Sequence, residues 1–391
     1  MESAIEIVDT WLVSEHGLDR ILTDWGRKNR FAGSGDRRAI ADLVYQTVRR
    51  MRSSAWVAGT DEAPNGRDLV RGNLIQAVAD LNSLFTGMTH APEILSDAEI
   101  GNQRSLDTAP RLVRLDMPDW METWIAGIDD AEFISLKDRA NVDLRVNRIK
   151  CDPQKAIQVL SETGISCERI SDVPDALRVI DGSHRVNRSD AYRDGLVEIQ
   201  DAGSQRLATL AELKPGERTL DLCAGGGGKS LAMAAASGGK AEIHAYDISA
   251  ARLNEIPERA NRAGVEITLI DRDALDANAV SYDVVFIDAP CSGSGAWRRN
   301  PDAKWRLTAE RLEALIQTQR DLLDQARLLT RPQGRIVYGT CSLLKAENRA
   351  QIDAFVRRHP SWHICADLTL LPSGGTDGFF GGVLSQVVDS R

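Results

Sequence analysis

Two cysteines stand where strands should end, each placed so that its thiol could attack an electron-poor carbon. The run Tyr282-Asp283-Val284-Val285-Phe286-Ile287-Asp288-Ala289-Pro290-Cys291-Ser292-Gly293-Ser294-Gly295 sets Asp288 and Cys291 just beyond a series of apolar β-formers. Arg335-Ile336-Val337-Tyr338-Gly339-Thr340-Cys341-Ser342 does the same for Cys341. Ligands of a parallel sheet bind at the carboxyl ends of its strands, so the two thiols are expected to share one crevice. The thiolate is the reactive form, and covalent catalysis by cysteine splits one difficult step into two easier ones. Cys151, Cys167 and Cys365 lack such a setting and read as small buried hydrophobes. The six cysteines form no C-x-x-C pair and no Cys/His group of zinc spacing, so neither a disulfide framework nor a bound metal is expected.

A glycine loop supplies the second piece of chemistry. Thr219-Leu220-Asp221-Leu222-Cys223-Ala224-Gly225-Gly226-Gly227-Gly228-Lys229-Ser230 reads as a strand, a glycine turn and a helix start. Glycines there let the backbone approach a ligand closely. The ending Gly228-Lys229-Ser230 suggests a phosphate-binding P-loop, but that motif needs glycine five positions before Gly228, where Cys223 stands. A dinucleotide fingerprint fails too, because its third glycine would be Ser230 or Leu231. Asp247 ends the next strand, where a carboxylate can accept both ribose hydroxyls, and Asp273 follows the third, within reach of an adenine amino group. Three acids at successive strand ends beside a glycine loop favour a nucleoside cofactor. Cys223, adjoining the loop, is expected to shape that pocket through its backbone.

Elements that could position these groups follow from the patterning. Strand-like runs at 218–222, 243–246, 267–270, 284–287 and 335–338 alternate with helical stretches, which predicts a doubly wound, mostly parallel sheet over 196–391. Before it, Leu144-Arg145-Val146-Asn147-Arg148-Ile149 alternates like a strand and precedes a helical stretch around 154–163, suggesting a small α+β domain over 141–195. Residues 1–140 read as helices, with Ile40, Leu43, Val44, Thr47 and Val48 on one stripe. Breaks fall at Gly59 to Gly66 and near Gly101 to Pro110, and Pro118-Asp119-Trp120 suits a helix opening.

The 391 residues carry a net charge of −9, which argues at first against a nucleic-acid partner. The charge is uneven, however. Arg27, Lys28, Arg30, Arg37, Arg38, Arg49, Arg50 and Arg52 face only Asp36 and Asp42 in their stretch, and basic groups recur at Arg145, Arg148 and Lys150, at Arg185, Arg188 and Arg193, and at Arg298, Arg299, Lys304 and Arg306. An acidic chain can still carry a basic face, although any one cluster is as readily plain solvated surface. No stretch nears the roughly 18 to 20 apolar residues of a membrane span, and the opening lacks the order of a signal peptide, so a cytoplasmic protein without membrane contact is expected.

Taken together, the motifs resemble the RNA cytosine-5 methyltransferases of the Fmu/Sun family, to which the RsmB-type rRNA enzymes belong. The resemblance rests on Asp288-Ala289-Pro290-Cys291-Ser292-Gly293-Ser294-Gly295 with the following Arg298-Arg299-Asn300-Pro301-Asp302-Ala303-Lys304-Trp305-Arg306, and on Thr340-Cys341-Ser342 with Glu347-Asn348. Gln200-Asp201-Ala202-Gly203-Ser204-Gln205, the glycine loop with Lys229, and Thr376-Asp377-Gly378-Phe379-Phe380 extend it. It implies a Rossmann-like catalytic domain that uses S-adenosylmethionine (SAM), a small RRM-like RNA-binding domain around Leu144-Arg145-Val146-Asn147, and a NusB-like helical domain around Gly35-Asp36-Arg37-Arg38-Ala39.

By the same resemblance Cys341 is the nucleophile adding to carbon 6 of a cytosine, and Cys291 assists product release. Asp288 would bind the base edge, with Lys229 pointing toward it. Cys223, Ala224, Gly225, Gly226, Gly227, Gly228, Lys229, Asp247, Arg252, Asp273 and Asp288 would form the SAM site. The family's loop usually has alanine and proline before its last two glycines, whereas Gly225 and Gly226 stand here, which should loosen the loop. Extruding a base is least costly in loops and bulges, so the expected partner is structured RNA, small-subunit rRNA first and tRNA or large-subunit rRNA second, bound by a monomer. Trp297 or Trp305 could stack on a nucleotide or belong to the core. A non-catalytic assembly factor is the reading from another class, and intact Cys291, Cys341, Asp288 and Lys229 speak against it.

Overall fold

The computed structural model describes residues 1–60, 63–277 and 281–387 in two compact units. Asp61 and Glu62, in the break expected between Gly59 and Gly66, lie outside the described residues, as do residues 278–280 and 388–391 of the expected catalytic domain.

One unit combines Met1–Arg139 with Trp297–Leu307. Helices Glu2–Val13, Leu18–Lys28, Ser34–Arg49, Met51–Val57 and Gly66–Gln76 bury Ile7, Val8, Leu18, Val44, Val48, Leu69 and Val70 in one core. Val44, Thr47 and Val48 of the predicted stripe are buried, and Ile40 and Leu43 pack at its edge. Pro118 opens only a short 3-10 turn, Asp119–Met121, whose Asp119 pairs with Arg52 at 2.6 Å.

Residues 297–307 depart from the expectation that 196–391 folds together, because their side chains bond to the helical core. Asp302 accepts from the Trp11 indole, from the Leu18 amide at 3.3 Å and from Arg306 at 2.7 Å. Trp305 donates to the Val48 carbonyl at 2.7 Å, and Lys304 to the Arg49 carbonyl at 3.3 Å. Trp297 is buried, which removes it as a stacking platform.

The second unit contains both sheets. Strands β1 (Asp143–Val146), β2 (Ser166–Arg169), β3 (Ala176–Asp181) and β4 (Val197–Ile199) form an antiparallel sheet in the order β2-β3-β1-β4. With helix Pro153–Glu162 between β1 and β2, the order is that of a split βαβ fold. That helix starts where Asp152 accepts from the Lys155 amide at 2.9 Å and proline occupies the first helical position, which needs no N–H.

The larger sheet has seven strands: β5 (Arg218–Asp221), β6 (Glu242–Ala245), β7 (Thr268–Leu269), β8 (Tyr282–Asp288), β9 (Thr330–Thr340), β10 (Trp362–Leu370) and β11 (Phe379–Gln386). Their order is β10-β11-β9-β8-β5-β6-β7, with β9, β8, β5, β6 and β7 parallel and β11 and β10 antiparallel at one edge. Val284, Val285, Phe286 and Ile287 are all fully buried, as a central parallel strand covered on both faces requires. The strand order reverses at β5, which opens a crevice at the carboxyl ends of β5, β6 and β8. Among the described residues no helix is long and apolar enough to cross a membrane.

Lys304 generates a test of the helical unit. Burial lowers its pKa from the usual 10.5 to about 8, with Lys137 and Arg49 adding to the effect against Asp116. Between these values the unfolded chain binds more protons, so stability rises with pH there, and below pH 8 the full penalty of the buried charge is present. Lys304→Met should therefore stabilise the unit by up to about 3 kcal/mol at neutral pH. Denaturant titrations should find this advantage shrinking toward pH 10.5; a difference independent of pH would mean the ammonium is not penalised.

Candidate active site

β5 leads through Leu222-Cys223-Ala224 into the glycines and then helix Gly228–Ala236. Gly225 and Gly227 take φ of +54° and +80°, and added Cβ atoms would lie 2.4 Å from the Arg252 guanidinium and 2.7 Å from Ile256. Both positions therefore need glycine. The Gly225 amide donates to Asp247 at 2.9 Å, which fixes this carboxylate against the loop. Arg252 turns back onto Asp247 at 3.3 Å. Cys223 packs against the sheet core, and burial pushes its thiol far up, so it contributes backbone and bulk.

Beyond β6 and β7 lies a cleft of about 410 Å³ lined by Asp247, Ile248, Leu253, Leu269 and Asp271 among others. A cradle with free-φ glycines, a strand-end carboxylate and an apolar wall fits the nucleoside part of SAM. β7 is two residues long and leads into helix Arg272–Ala277, which carries Asp273, exposed, in its first turn. Asp271, also exposed, lines the cleft and caps the Ala274 amide at 2.8 Å. Ile248, 95% exposed beside Asp247, went unnoticed in the sequence because nothing marks an isoleucine after a strand as solvent-facing.

At the ends of β8 and β9 the two thiols meet, with Cys291 and Cys341 sulfurs 3.5 Å apart. The hydrogen bond to Cys341, reinforced by burial and the nearby Glu347 charge, holds the Cys291 thiol well above its ordinary value. Lys229 donates to Asp288 at 2.5 Å. Burial alone would lower the Lys229 pKa, but the charges of Asp288, Cys341 and Asp221 and the Asp288 hydrogen bond outweigh it and raise it. Phe379 of the Thr376–Phe380 motif lies under the ammonium, 5.9 Å from ring centre to Nζ. Asp221, fully buried, accepts from Ser230 at 2.6 Å, and burial with Asp288 nearby pushes it up to about 7.

What fixes the spacing of the thiols is Glu347, noted in the sequence only as part of a motif. Fully buried, it accepts from the Ser292 amide at 2.8 Å, the Ser292 and Ser342 hydroxyls at 2.5 Å each, and Gln319 at 3.0 Å. Ser292 follows Cys291 and Ser342 follows Cys341, so one carboxylate ties both loops. Asn348 seconds it, accepting from Thr340 at 2.5 Å and donating to the Ser342 carbonyl at 2.8 Å. Gln319 lies within helix Ala309–Leu329 and carried no sequence signal.

The basic clusters divide. Arg49, Arg145 and Lys304 are buried and bound within the protein, and Lys150 donates to the carbonyls of Asp194 and Arg262. Arg27, Lys28, Arg30 and Arg38 are exposed. Among the described residues no group of three metal-ligating side chains forms.

The sheet order, glycine cradle and strand-end acids define a Rossmann-like methyltransferase fold. The solved protein PH0851 matches it with a TM-score of 0.76 at 23% identity over 98% of this chain and 97% of its own. NSun6 from Pyrococcus horikoshii, solved with SFG, matches at 0.62 and 19% identity over 70% and 99%. Residues 208–376 match the family model described as 16S rRNA methyltransferase RsmB/F. Ribosomal RNA small subunit methyltransferase B of Sodalis glossinidius is 31% identical over 82% of this chain and 72% of its own, and that of Pseudomonas putida 31% over 84% and 75%. A probable ribosomal RNA small subunit methyltransferase B of Synechocystis is 26% identical over 90% and 87%. The chain belongs to the RsmB/F family and is a SAM-dependent RNA methyltransferase.

The thiol geometry is open to direct measurement. Diamide should oxidise Cys291 and Cys341 of the native protein to one intramolecular disulfide, detected by peptide mass mapping. Glu347→Ala should slow this bridging at least ~10-fold and lower stability by roughly 3 kcal/mol, since buried donors lose their acceptor. Equal bridging rates would mean that Glu347 does not hold the loops.

Proposed function

We propose that this enzyme methylates carbon 5 of a cytosine in small-subunit rRNA through a covalent bond to Cys341. The observation that carries the reading is the 3.5 Å approach of Cys341 to Cys291 beside the Lys229–Asp288 pair. The names of the relatives support the choice of RNA. SAM supplies an electrophilic methyl carbon. Carbon 5 of cytosine is too weakly nucleophilic to take it unaided. Cys341 adds as thiolate to carbon 6, and electron density moves to carbon 5. Asp288 accepts from the amino edge of the ring and orients it. After methylation the carbon 5 proton must leave before the Cys341–carbon bond breaks, and Cys291, in contact with Cys341, assists that release.

In the cofactor site Asp247 takes the ribose hydroxyls, Ala224 to Gly228 present their backbone, and Ile248 gives the adenine an apolar face. Arg252 orders Asp247. Asp273, exposed after the third parallel strand, accepts from the adenine amino group. The split βαβ domain acts as an RRM-like module and the helical unit as a NusB-like one, with Arg27, Lys28, Arg30 and Arg38 meeting phosphates.

Labelled SAM, unmodified 16S rRNA and mapping of 5-methylcytosine test the reading. Label transfer should fall below detection in Cys341→Ala, and Cys291→Ala should accumulate a denaturant-resistant protein–RNA adduct. Label persisting in Cys341→Ala would assign the nucleophile wrongly; label only in tRNA or large-subunit rRNA would move the substrate.

A further inference from the structure

Four consecutive glycines should form the loosest part of the chain, since each has more conformational freedom to lose than any other residue. Here two of their carbonyls are gripped from outside the loop. The Arg259 guanidinium, from helix Ile256–Ala263, donates to the Gly226 carbonyl. Its other nitrogen donates to Glu198 at 3.2 Å. Glu198 is buried and also receives Arg262 at 3.0 and 3.2 Å. Gln200 donates to the Gly228 carbonyl at 3.2 Å while accepting from buried Arg145 at 2.7 Å. Glu198 belongs to β4 and Gln200 follows that strand directly, so one grip and the anchor of the other come from the last strand of the small sheet.

The glycine at 226 is part of the device. A Cβ there would lie 2.8 Å from the Glu255 carboxylate and 3.2 Å from the Arg259 guanidinium. Without a side chain, the carbonyl is open to a planar cation that Glu198 holds in place. In this chain a hydrogen-bonded brace holds the carbonyl of a residue that has no side chain to restrict it.

We propose that Arg259, anchored by Glu198, is a positioning residue for the methyl-donor loop, making the last strand of the small domain part of the cofactor site. The inference rests on the assignment of the glycine loop to SAM. Its consequence is that side chains with no reach to the cofactor set its affinity, by keeping the loop amides in the arrangement that binds.

Equilibrium dialysis of labelled SAM against the full chain, without RNA, provides the test. Arg259→Ala should raise Kd about 10-fold, the size expected for losing one charge-assisted hydrogen bond. Glu198→Gln should raise it about 3-fold, and in turnover the loss should fall on KM for SAM more than on kcat. Adding Gly226→Ala to Arg259→Ala should recover about 2- to 5-fold in affinity, because alanine narrows the freedom of the unbraced loop. Native affinity in Arg259→Ala would overturn the brace while leaving the SAM site intact. So would a weakened Kd that Gly226→Ala does not improve and that tracks a lower melting temperature of the ligand-free protein. Absence of SAM binding by the unaltered chain would instead overturn the loop assignment itself.

Discussion

One buried carboxylate carries the catalytic end of the sheet. Glu347 gathers donors from the residue after each thiol and from the long helix Ala309–Leu329. A charged acceptor taken out of water is stable only when its lone pairs are satisfied, and hydrogen bonds to it are worth about 1.5–3 kcal/mol each. The need to satisfy Glu347 therefore dictates where two otherwise independent loops must lie. The 3.5 Å contact of the sulfurs is a by-product of that constraint.

The contact with Cys341, burial and the Glu347 charge hold the Cys291 thiol well above its ordinary value. The ion pair of Lys229 with Asp288 joins the end of the glycine loop to the end of β8 beside the two thiols.

The helical unit illustrates a different use of charge. Asp302 and Lys304, in a motif that reads as a basic surface run, are interior groups bonded to Trp11 and to the Arg49 carbonyl. Arg145 likewise holds Gln200 from inside the small domain. Cations spent in this way are not available to phosphates, whereas Arg27, Lys28, Arg30 and Arg38 are exposed.

Features that depend on local pattern are legible in the residues alone. The parallel strands were readable because a doubly covered strand must be apolar throughout, as Val284 to Ile287 are, and the glycine loop because only glycine tolerates the φ of positions 225 and 227. The convergence of Cys291 and Cys341 followed from strand ends sharing one side of a sheet. Strands β10 and β11 carry a weaker signal, since β10 is mostly exposed and Gly381-Gly382 interrupts the apolar run of β11. Only the tertiary structure decided which groups act across distance. Glu347 and Gln319 meet from elements 28 residues apart, and Arg259 reaches Gly226 across 33. Such pairings depend on where whole elements pack, and side-chain type and spacing along the chain carry no record of that.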